Sequence, residues 1–499
     1  MTVRLITADH VLTGFSAAGE AEIVEDGAIL IDGDRIIAVG KEQVLRRDAP
    51  DAEKLGGRGR VAIPGLVNAH HHVGLTPFQM GAADQPLEVW FAERLVMRDV
   101  DPRLDALYSA FEMISSGVTT VQHLHSRAPG DVDAVMARAG SIIGAYRDLG
   151  MRVSYSFALR DQNRMIYAAD EEFVAMLPPD ARAPMAAYLG GFAMPLSDQI
   201  GVFRALRDAW ADAPGVAIQI APANLHWLSD AALEQAARLS EETGAPMHMH
   251  LLETPYQKIY ARRRTGGSAM EHIDRMGLLG PRMTIGHGTW MTPDDLAILS
   301  DRGACLCHNC SSNLRLKSGT LDLNAVLATG VPCALGIDEA GINDDRDMLQ
   351  EMRMALTLHR PSGHDSPAPT AAQVLRMATE HGAATTPFKA SIGRIAPGSL
   401  ADVVLLDWNA LTRPWQDPSI ALMEVLVRRA RPSAVETVMI GGVTVYHQGR
   451  FTRIDRDEVL AAIATALNRP DTAEEEKRRQ LAATTKPIIR AFYSDWEYR

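Results

Sequence analysis

Three short apolar runs of this chain each end in side chains that can bind a metal ion. They are residues 67–72 (VNAHHH), 247–253 (MHMHLLE) and 334–338 (ALGID). In an extended strand alternate side chains share a face, so His70 and His72 point the same way, as do His248 and His250. A strand-end His-x-His, joined by a third imidazole and a carboxylate from other strands, makes a metal site with room for water. The pattern therefore predicts hydrolysis.

The predicted ligands of one divalent ion are His70, His72, His250 and Asp338. Neutral imidazoles with one carboxylate suit a borderline ion such as Zn²⁺, which we expect here, with Fe²⁺ as the alternative. A single histidine is more often held by its neighbours in a protein core, so the metal prediction depends on the whole set. His71 lies between two of the ligands and must face the opposite side of its strand.

From residue 61 onward, short apolar runs alternate with segments of helical periodicity. The predicted strands cover residues 61–68, 118–124, 152–158, 216–221, 246–250, 283–287, 304–307 and 333–336. Eight strands separated by helices favour an α/β protein with a parallel (β/α)8, TIM-like barrel over an open sheet. The three metal-binding segments come at the ends of strands one, five and eight. In such barrels the strand ends carry the chemistry.

Short strands also dominate both ends of the chain. The runs 28–31 and 35–39 flank an Asp-Gly-Asp turn typical of a hairpin, and the runs 401–406 and 437–445 follow the eighth barrel strand. We predict one small β domain composed of residues 1–60 and 395–450, a barrel formed by residues 61–394, and a charged helical tail from 451 to 499.

The composition is that of a water-soluble enzyme with a small-molecule substrate. The 499 residues carry a formal net charge of −12, which argues against nucleic acid as a partner. No apolar run approaches the length needed to cross a bilayer, and the first residues read as a strand, not as a signal peptide. Three of the four cysteines lie within residues 305–310, which favours a reducing cytoplasm over a disulfide framework. We expect a cytoplasmic protein with no membrane partner.

Taken together, these motifs resemble the amidohydrolase superfamily, specifically its cytosine-deaminase-like branch of triazine hydrolases and aminohydrolases. The resemblance covers nearly the whole chain. It is carried by residues 64–72 (PGLVNAHHH), 117–120 (GVTT), 250–253 (HLLE), 286–288 (GHG), 312–313 (SN), 335–338 (LGID) and 398–402 (GSLAD). It implies a barrel with a β-sandwich domain formed by both termini, usually one bound divalent metal, and a homodimer or higher homo-oligomer.

The chain departs from that family in three places. His-Asn-Cys at 308–310 stands where relatives often carry His-Cys-Pro, and Ile337 stands where Thr is common. His123 and His125 end the second strand, where an acidic residue is common. The first two changes leave the predicted metal site intact, but the third falls where substrates are held. The substrate therefore does not transfer by analogy.

One metal ion is expected, not two. Relatives with two ions usually place a bridging lysine at the end of strand four. Here that segment, residues 217–226, contains no Lys, Glu or Asp. The resemblance thus implies a mononuclear site.

Three residues are predicted to carry the catalytic steps. Asp338 would accept the proton of the attacking water while it binds the metal. Glu253, three residues beyond a ligand, would carry a proton to a ring nitrogen of the substrate. His287, at the end of strand six, would hold the attacking oxygen and stabilise developing charge. The alternatives are a solvent-exposed loop acid for Glu253 and an orienting histidine for His287.

The predicted substrate-binding residues lie in the segments that follow the strands: Gln79, Trp90, His123, His125, Arg160 and Asn313. Trp90 could stack on a flat ring or belong to the core. Arg160 could bind an anionic or carbonyl group, and Asn313 would tie the active-site loops together. Residues 165–194 are long enough to form a lid, or equally a contact with a partner subunit.

The cysteine-rich segment 305–310 raises the question of a second metal. Cys305 and Cys307 would share one face of a strand, His308 would oppose them, and Cys310 lies beyond the strand. This placement favours packed thiols over a second metal site.

These observations predict a metal-dependent hydrolase of C–N bonds. The first choice is an aminohydrolase that converts an amino-substituted N-heterocycle into the oxo compound with release of ammonia or an amine. The same site could hydrolyse an amide, a carbamate or a urea, or remove a halogen from an aromatic ring. A catalytically silent barrel acting as a binding or assembly protein is the alternative of another class. The presence of Glu253, His287 and Asp338 speaks against it.

Overall fold

The computed structural model describes residues 3–126 and 128–496, which form a barrel and a second sheet built from both ends of the chain. The strands are β1 (Arg4–Phe15), β2 (Ala21–Asp32), β3 (Arg35–Lys41), β4 (Glu53–Pro64), β5 (Leu66–His71), β6 (Val118–His125), β7 (Arg152–Leu159), β8 (Val216–Ile218), β9 (Ala221–Pro222), β10 (Met247–Leu251), β11 (Met283–His287), β12 (Cys305–His308), β13 (Cys333–Leu335), β14 (Val403–Asp407), β15 (Val435–Ile440), β16 (Val443–His447) and β17 (Arg450–Phe451).

The helices fill the intervals between these strands and the tail. They are α1 (Glu42–Asp48), α2 (Leu87–Glu93), α3 (Pro102–Ser115), α4 (Val132–Leu149), α5 (Asp170–Met176), α6 (Pro179–Gly190), α7 (Leu196–Ala209), α8 (Asp230–Thr243), α9 (Pro255–Thr265), α10 (Ala269–Arg275), α11 (Pro293–Asp301), α12 (Cys310–Arg315), α13 (Leu323–Thr329), α14 (Met348–Leu358), α15 (Ala371–Arg376), α16 (Gly382–Ala384), α17 (Trp408–Thr412), α18 (Leu422–Arg429), α19 (Arg456–Leu467) and α20 (Ala473–Phe492).

The barrel is closed by two sets of parallel strands. β5 to β8 pair in order, β9 pairs with β7, and β10 to β13 pair in order. Parallel bridges between Ile220 and Met247 and between His71 and Asp338 join the two sets at both seams. Strands such as β5 and β11 are buried along their whole length, as expected where helices cover a parallel sheet. The predicted α/β barrel is confirmed.

The helices around the barrel begin and end at residues that suit those positions. The side chain of Asp101 accepts hydrogen bonds from the backbone N–H groups of Arg103 and Leu104 at the start of α3. Ser229 caps α8 in the same way, and Gly244 ends that helix in the left-handed conformation. These boundaries set the lengths of the βα units, so that each strand end opens on the same rim of the barrel.

The second sheet combines strands from both termini in the order β17-β16-β15-β14-β4-β1-β2-β3. β1 and β4 run parallel and the other neighbours are antiparallel. Side chains from one face of both halves, including Ile6, Ile29 and Val403, pack into one apolar cluster. The buried pair of Arg152 Nη2 and Asp402 Oδ1, 2.9 Å apart, fixes this sheet against strand β7 of the barrel.

One predicted strand boundary is wrong. The run 61–68 does not form the first barrel strand, because residues up to Pro64 belong to β4 and pair with β14. The barrel begins at Leu66, after a break at Gly65. A Cβ atom at Gly65 would lie 2.2 Å from Oγ1 of Thr119, so only glycine fits there. The terminal sheet thus extends beyond residue 60.

The C-terminal helices pack on the barrel. α19 lies against α3, and α20 lies against α2 and α6. Within residues 3–126 and 128–496, no helix combines the length and the apolar character that crossing a membrane requires.

Candidate active site

Three imidazoles converge at one rim of the barrel. The Nε2 atoms of His70 and His72 lie 3.0 Å apart. The Nε2 atom of His250 lies 3.1 Å from Nε2 of His70 and 3.0 Å from Nε2 of His72. Asp338 Oδ1 completes the group at 3.1 Å from His72 Nε2 and 3.7 Å from His70 Nε2. A tetrahedral ion bound at ~2.0–2.1 Å by each nitrogen places its ligand nitrogens about 3.3 Å apart. The spacing fits one small divalent ion.

The orientation of each imidazole is fixed by its second nitrogen. His72 Nδ1 donates to the carbonyl of Leu124, and His250 Nδ1 donates to that of Ala223 at 2.9 Å. His70 Nδ1 lies 2.8 Å from Nε2 of His248. With the protons on the Nδ1 atoms, the Nε2 lone pairs all face the shared centre, which is the arrangement that metal-binding histidines use.

The protonation of these groups fits metal binding as well. Burial lowers the pKa of His70 and of His250 well below the usual value, and the neighbouring imidazoles lower both further, so both rings are neutral. Burial also lowers the pKa of His72, but the hydrogen bond and charge of Asp338 outweigh it and raise that pKa. The raised pKa favours a proton on the His72 ring beside the Asp338 carboxylate. A metal cation between the two groups would replace that proton.

Asp338 is held on both sides. The hydroxyl of Ser312 donates to its Oδ2 at 2.6 Å, while Oδ1 faces the imidazoles. Burial favours the neutral acid, but the hydrogen bond and charge of His72, the charge of His287 and the Ser312 hydroxyl lower the pKa of Asp338 well below its usual range. The φ angles of Asp338 (64°) and His287 (70°) are positive. Such strain costs about 1–3 kcal/mol per residue and is common where strand ends carry function.

Glu253 lies beside the metal-binding group without belonging to it. Its Oε2 is 3.8 Å from His287 Nε2, and its Oε1 accepts a hydrogen bond of 3.2 Å from the Ser318 hydroxyl. The side chain is buried, and burial raises the pKa of Glu253 to about 7, with the charges of Asp338 and Glu88 acting in the same direction against that of His287. A carboxyl with this pKa can both donate and accept a proton near neutrality.

His287 stands between the two carboxylates. Its Nδ1 donates to Oδ1 of Asn313 at 2.9 Å, and its Nε2 lies 3.3 Å from the Asn309 amide nitrogen and faces Glu253 and Asp338, the latter at 3.7 Å. The preceding residue, Gly286, gives the ligand rings space, because a Cβ atom there would lie 3.0 Å from the His70 ring. The geometry places one nitrogen acceptor within reach of both acids.

A pocket opens over this group. It is lined by His72, His250, Glu253, His287 and Asp338 and by Leu87, Trp90, Phe91, Arg94, Ser126, Arg160, Trp227, Leu316 and Glu339. Trp90 and Arg160 therefore lie where the sequence predicts contact with substrate. The Arg160 guanidinium is 3.9 Å from the centre of the Trp227 ring, and Arg94 lies 4.7 Å from that of Trp90. Aromatic rings and cations thus line this pocket together with the predicted metal ligands.

A second cavity adjoins the pocket and shares Phe91, Arg94 and Arg160 with it. Its other walls are Arg164, Met165, Tyr188, Leu189 and Phe192. These residues come from the segment 165–194 and its approach, which folds as helices α5 and α6. The segment therefore contributes to the rim of the substrate pocket.

Other predicted substrate-binding residues lie outside the pocket lining. The Gln79 side chain is exposed, accepts from the backbone N–H of Thr76 and donates to the Tyr108 hydroxyl. His123 is buried behind the site, with Nδ1 2.9 Å from the Tyr146 hydroxyl, and His125 stacks against it. The structure does not bring these three residues to the metal-binding group.

Asn313 also lies outside the lining, but it contacts a lining residue. Through the hydrogen bond to His287 it orients that ring. His71, as expected, faces the other side of its strand, where its ring lies near that of His123.

Several functional side chains were not predicted. His248 shares a strand face with His250, yet its contact with His70 depends on how β10 faces β5 across the barrel. Ser312 and Ser318 hold the two carboxylates. The Ser-Asn pair at 312–313 was part of the family motif, so this signal could have indicated Ser312.

A family model and several known proteins match the chain. The model of the amidohydrolase family matches residues 61–445, and that of an imidazolonepropionase-like composite domain of bacteria matches residues 27–52. The chain belongs to the amidohydrolase family. A 5-methylthioadenosine/S-adenosylhomocysteine deaminase of Nitratidesulfovibrio vulgaris is 28% identical over 444 residues, which are 88% of this chain and 92% of that protein.

Solved structures share the fold. An adenosine deaminase from Xanthomonas campestris with bound zinc has a TM-score of 0.75 at 24% identity and covers 96% of this chain and 98% of its own. A variant of atrazine chlorohydrolase from Arthrobacter aurescens, complexed with zinc and atraton, has a TM-score of 0.80 at 21% identity. It covers 92% of this chain and 99% of its own. At these identities the two structures establish the barrel fold alone.

The amidohydrolase membership and the curated relatives confirm a hydrolytic enzyme that acts on C–N bonds, of the aminohydrolase type. The alternative of a catalytically silent barrel is therefore wrong. The family also supports a divalent metal and a small-molecule substrate.

Proposed function

We propose that this amidohydrolase removes the amino group of an adenosine-type ring by hydrolysis with one zinc ion held by His70, His72, His250 and Asp338. The observation that carries this proposal is Glu253, a buried carboxyl with a pKa of about 7 beside the metal-binding group. A proton carrier at that place suits attack at a carbon next to a ring nitrogen. The curated relative is named for deamination of 5-methylthioadenosine and S-adenosylhomocysteine, and two structural neighbours contain zinc.

The reaction adds water across the C=N bond that bears the amino group and then expels ammonia. When bound, the ion would activate the attacking water by lowering its pKa towards neutrality. Protonated Glu253 gives its proton to the ring nitrogen, while Asp338 accepts one proton of the attacking water at a carboxylate oxygen. Asp338 then passes that proton to the amino group, which leaves as ammonia. The remaining hydroxyl proton returns to Glu253 as the C=O bond forms, so water is consumed and both acids regain their starting protonation.

His287 serves the attacking oxygen in this proposal. Its Nδ1 proton is engaged by Asn313, so the ring presents Nε2 to the space between Glu253 and Asp338. In that position Nε2 can accept a hydrogen bond from the attacking water. This hydrogen bond directs a lone pair of the water oxygen towards the substrate carbon. The hydrogen bond from the water to Nε2 then holds the oxygen in position while its charge develops.

The pocket walls suit a flat ring. Trp90, Phe91 and Trp227 offer aromatic surfaces, and the Phe91 and Trp227 rings lie 5.2 Å apart in an edge arrangement. A planar heterocycle gains stacking contacts against such rings. The adjoining cavity shares Phe91, Arg94 and Arg160 with this pocket, so a substituent on the ring, such as a sugar, would extend towards it.

Ammonia release from a panel of compounds tests the proposal. We expect turnover of adenosine, 5-methylthioadenosine or S-adenosylhomocysteine by zinc-loaded protein, and at least a hundredfold lower kcat for Glu253→Gln. An exposed acid, Glu241, provides the control, since Glu241→Gln keeps the wild-type rate. Activity on amides, ureas or chlorotriazines with none on the purine nucleosides would overturn the proposal in favour of those rival reactions.

We also propose a cytoplasmic homodimer, which the family resemblance supports. Sedimentation of the purified enzyme tests the assembly, and a monomer at working concentration would contradict it. Fractionation of source cells tests the location.

A further inference from the structure

A second group of metal-binding side chains lies on the outer side of the barrel wall. His308 ends β12, Cys310 begins α12, and His359 directly follows α14. One donor atom from each lies within 4.8 Å of the others, and all three residues are buried. The Nε2 atoms of His308 and His359 are 2.9 Å apart. We call these three residues the outer cluster.

The outer cluster is separate from the active site. Alternate residues of β12 face opposite ways, and Cys307 faces the barrel interior, where a Cβ atom on Gly336 would lie 3.0 Å from its Sγ. His308 therefore faces outward, towards helix α14. No residue of the outer cluster is among those that line the substrate pocket.

Both imidazoles are neutral and can donate a nitrogen lone pair to a metal ion. His359 Nε2 faces His308 Nε2, and the His359 ring also has a backbone hydrogen bond to Leu321, which raises its pKa against the larger effect of burial. Burial lowers the pKa of His359 to about 4 and that of His308 well below the usual value. Two lone pairs 2.9 Å apart repel unless a proton or a cation lies between them. His308 Nδ1 is buried without a hydrogen-bond partner.

The charge around the cluster also suits a cation. The buried carboxylate of Glu351 accepts hydrogen bonds from the backbone N–H of Ser311, at 2.9 Å, and from its hydroxyl. Within residues 3–126 and 128–496, no Lys or Arg is ion-paired with it. Burial raises the pKa of Glu351 to about 7, so this carboxyl is partly ionised near neutrality, and burial and Glu351 together raise the pKa of the Cys310 thiol. A divalent ion would favour the ionised form of both groups and deprotonate the thiol.

We propose that His308, Cys310 and His359 bind a second transition-metal ion of the zinc class. Two imidazoles and one thiolate are a donor set for such an ion, with water in the fourth position. The ion would join the end of β12 to α12 and α14. Helix α12 carries Ser312 and Asn313, which hydrogen-bond Asp338 and His287. By fixing the start of α12, the bound ion would therefore also stabilise the positions of these two catalytic residues.

Cobalt substitution distinguishes this site from the active site. Thiolate-to-cobalt charge transfer absorbs in the near ultraviolet, whereas the predicted ligands of the active site are only imidazoles and a carboxylate. We expect Co²⁺-loaded wild-type enzyme to show this band and to bind two ions per chain by elemental analysis. A single ion per chain with no thiolate band would overturn the proposal and leave a histidine–histidine hydrogen bond beside a free thiol.

Variants assign the band to its residues. Cys310→Ser removes the band and one ion per chain, and His359→Gln weakens cobalt binding at the same site at least tenfold. Cys305→Ser, at a nearby thiol outside the cluster, keeps the band. His72→Ala removes the active-site ion and keeps the band. A band that persists in Cys310→Ser or disappears in Cys305→Ser would contradict the assignment.

Discussion

Replacing Glu253 by glutamine keeps the shape of the side chain but removes its capacity to carry a proton. Since Glu253 is not among the predicted metal ligands, the metal content of the variant stays that of the wild type. A general acid–base group contributes about 10²–10⁴ in rate, which corresponds to about 3–5 kcal/mol of activation free energy. We therefore expect a loss of kcat in this range on ring substrates.

The same substitution should change how stability depends on pH. Burial raises the pKa of Glu253 from 4.5 to about 7 in the folded protein. Between these values the folded state holds a proton that the unfolded chain has lost, so the free energy of unfolding falls as pH rises through this window. A pKa difference of this size corresponds to about 3 kcal/mol at pH 8. Glutamine does not titrate, so the variant lacks this loss.

Urea unfolding of the metal-free proteins at pH 5 and pH 8, followed by circular dichroism, measures the effect. The free energy of unfolding of Glu253→Gln minus that of wild type should be about 2.5 kcal/mol larger at pH 8 than at pH 5, because only the wild type loses stability over this interval. The exposed control Glu241→Gln should show no such difference. Equal pH dependence in Glu253→Gln and wild type would show that the carboxyl ionises normally, and it would refute the reasoning for a proton carrier active near neutrality.

Four further outcomes are expected. Asp338→Asn should lower kcat by more than about a hundredfold, as judged by ammonia release, because it removes a base that also binds the metal; a rate near wild type would exclude Asp338 from that role. Asn313→Ala should lower kcat about 10–100-fold at unchanged active-site metal content, since His287 loses the partner of its Nδ1. Trp90→Ala should raise KM for ring substrates, whereas Gln79→Ala should leave kcat/KM unchanged; the reverse result would mean that the pocket is lined differently. Removal of metal by a chelator should abolish turnover, and added zinc should restore it; turnover by metal-free protein would contradict a metal-dependent hydrolase.

The barrel and the convergence of the ligand set could be predicted because both depend on short-range patterns. Alternation that continues from β5 to the next residue, His72, predicts that His70 and His72 share a face, and alternation within β10 predicts the same for His248 and His250. The order of strands and helices then brings the strand ends to one rim. Nothing about the loops was needed for that result.

Features that depend on contacts between distant segments could not be predicted. Gln79 was expected at the substrate, but its amide is held by the Thr76 backbone and Tyr108. The start of the barrel at Leu66 follows from the crowding of Gly65 against Thr119, which no local pattern reveals. The second imidazole of the outer cluster, His359, lies far along the chain from Cys310. The spacing within segment 305–310 alone does not reveal this ligand, and it therefore predicts packed thiols.

The central claim is that three imidazoles and one carboxylate at the barrel rim hold a single catalytic ion. Anomalous diffraction at the zinc absorption edge, from crystals of active enzyme, tests it most directly. We predict a peak about 2.0–2.2 Å from Nε2 of His70, His72 and His250 and from a carboxylate oxygen of Asp338. Active crystals with no anomalous peak at that position would contradict the account.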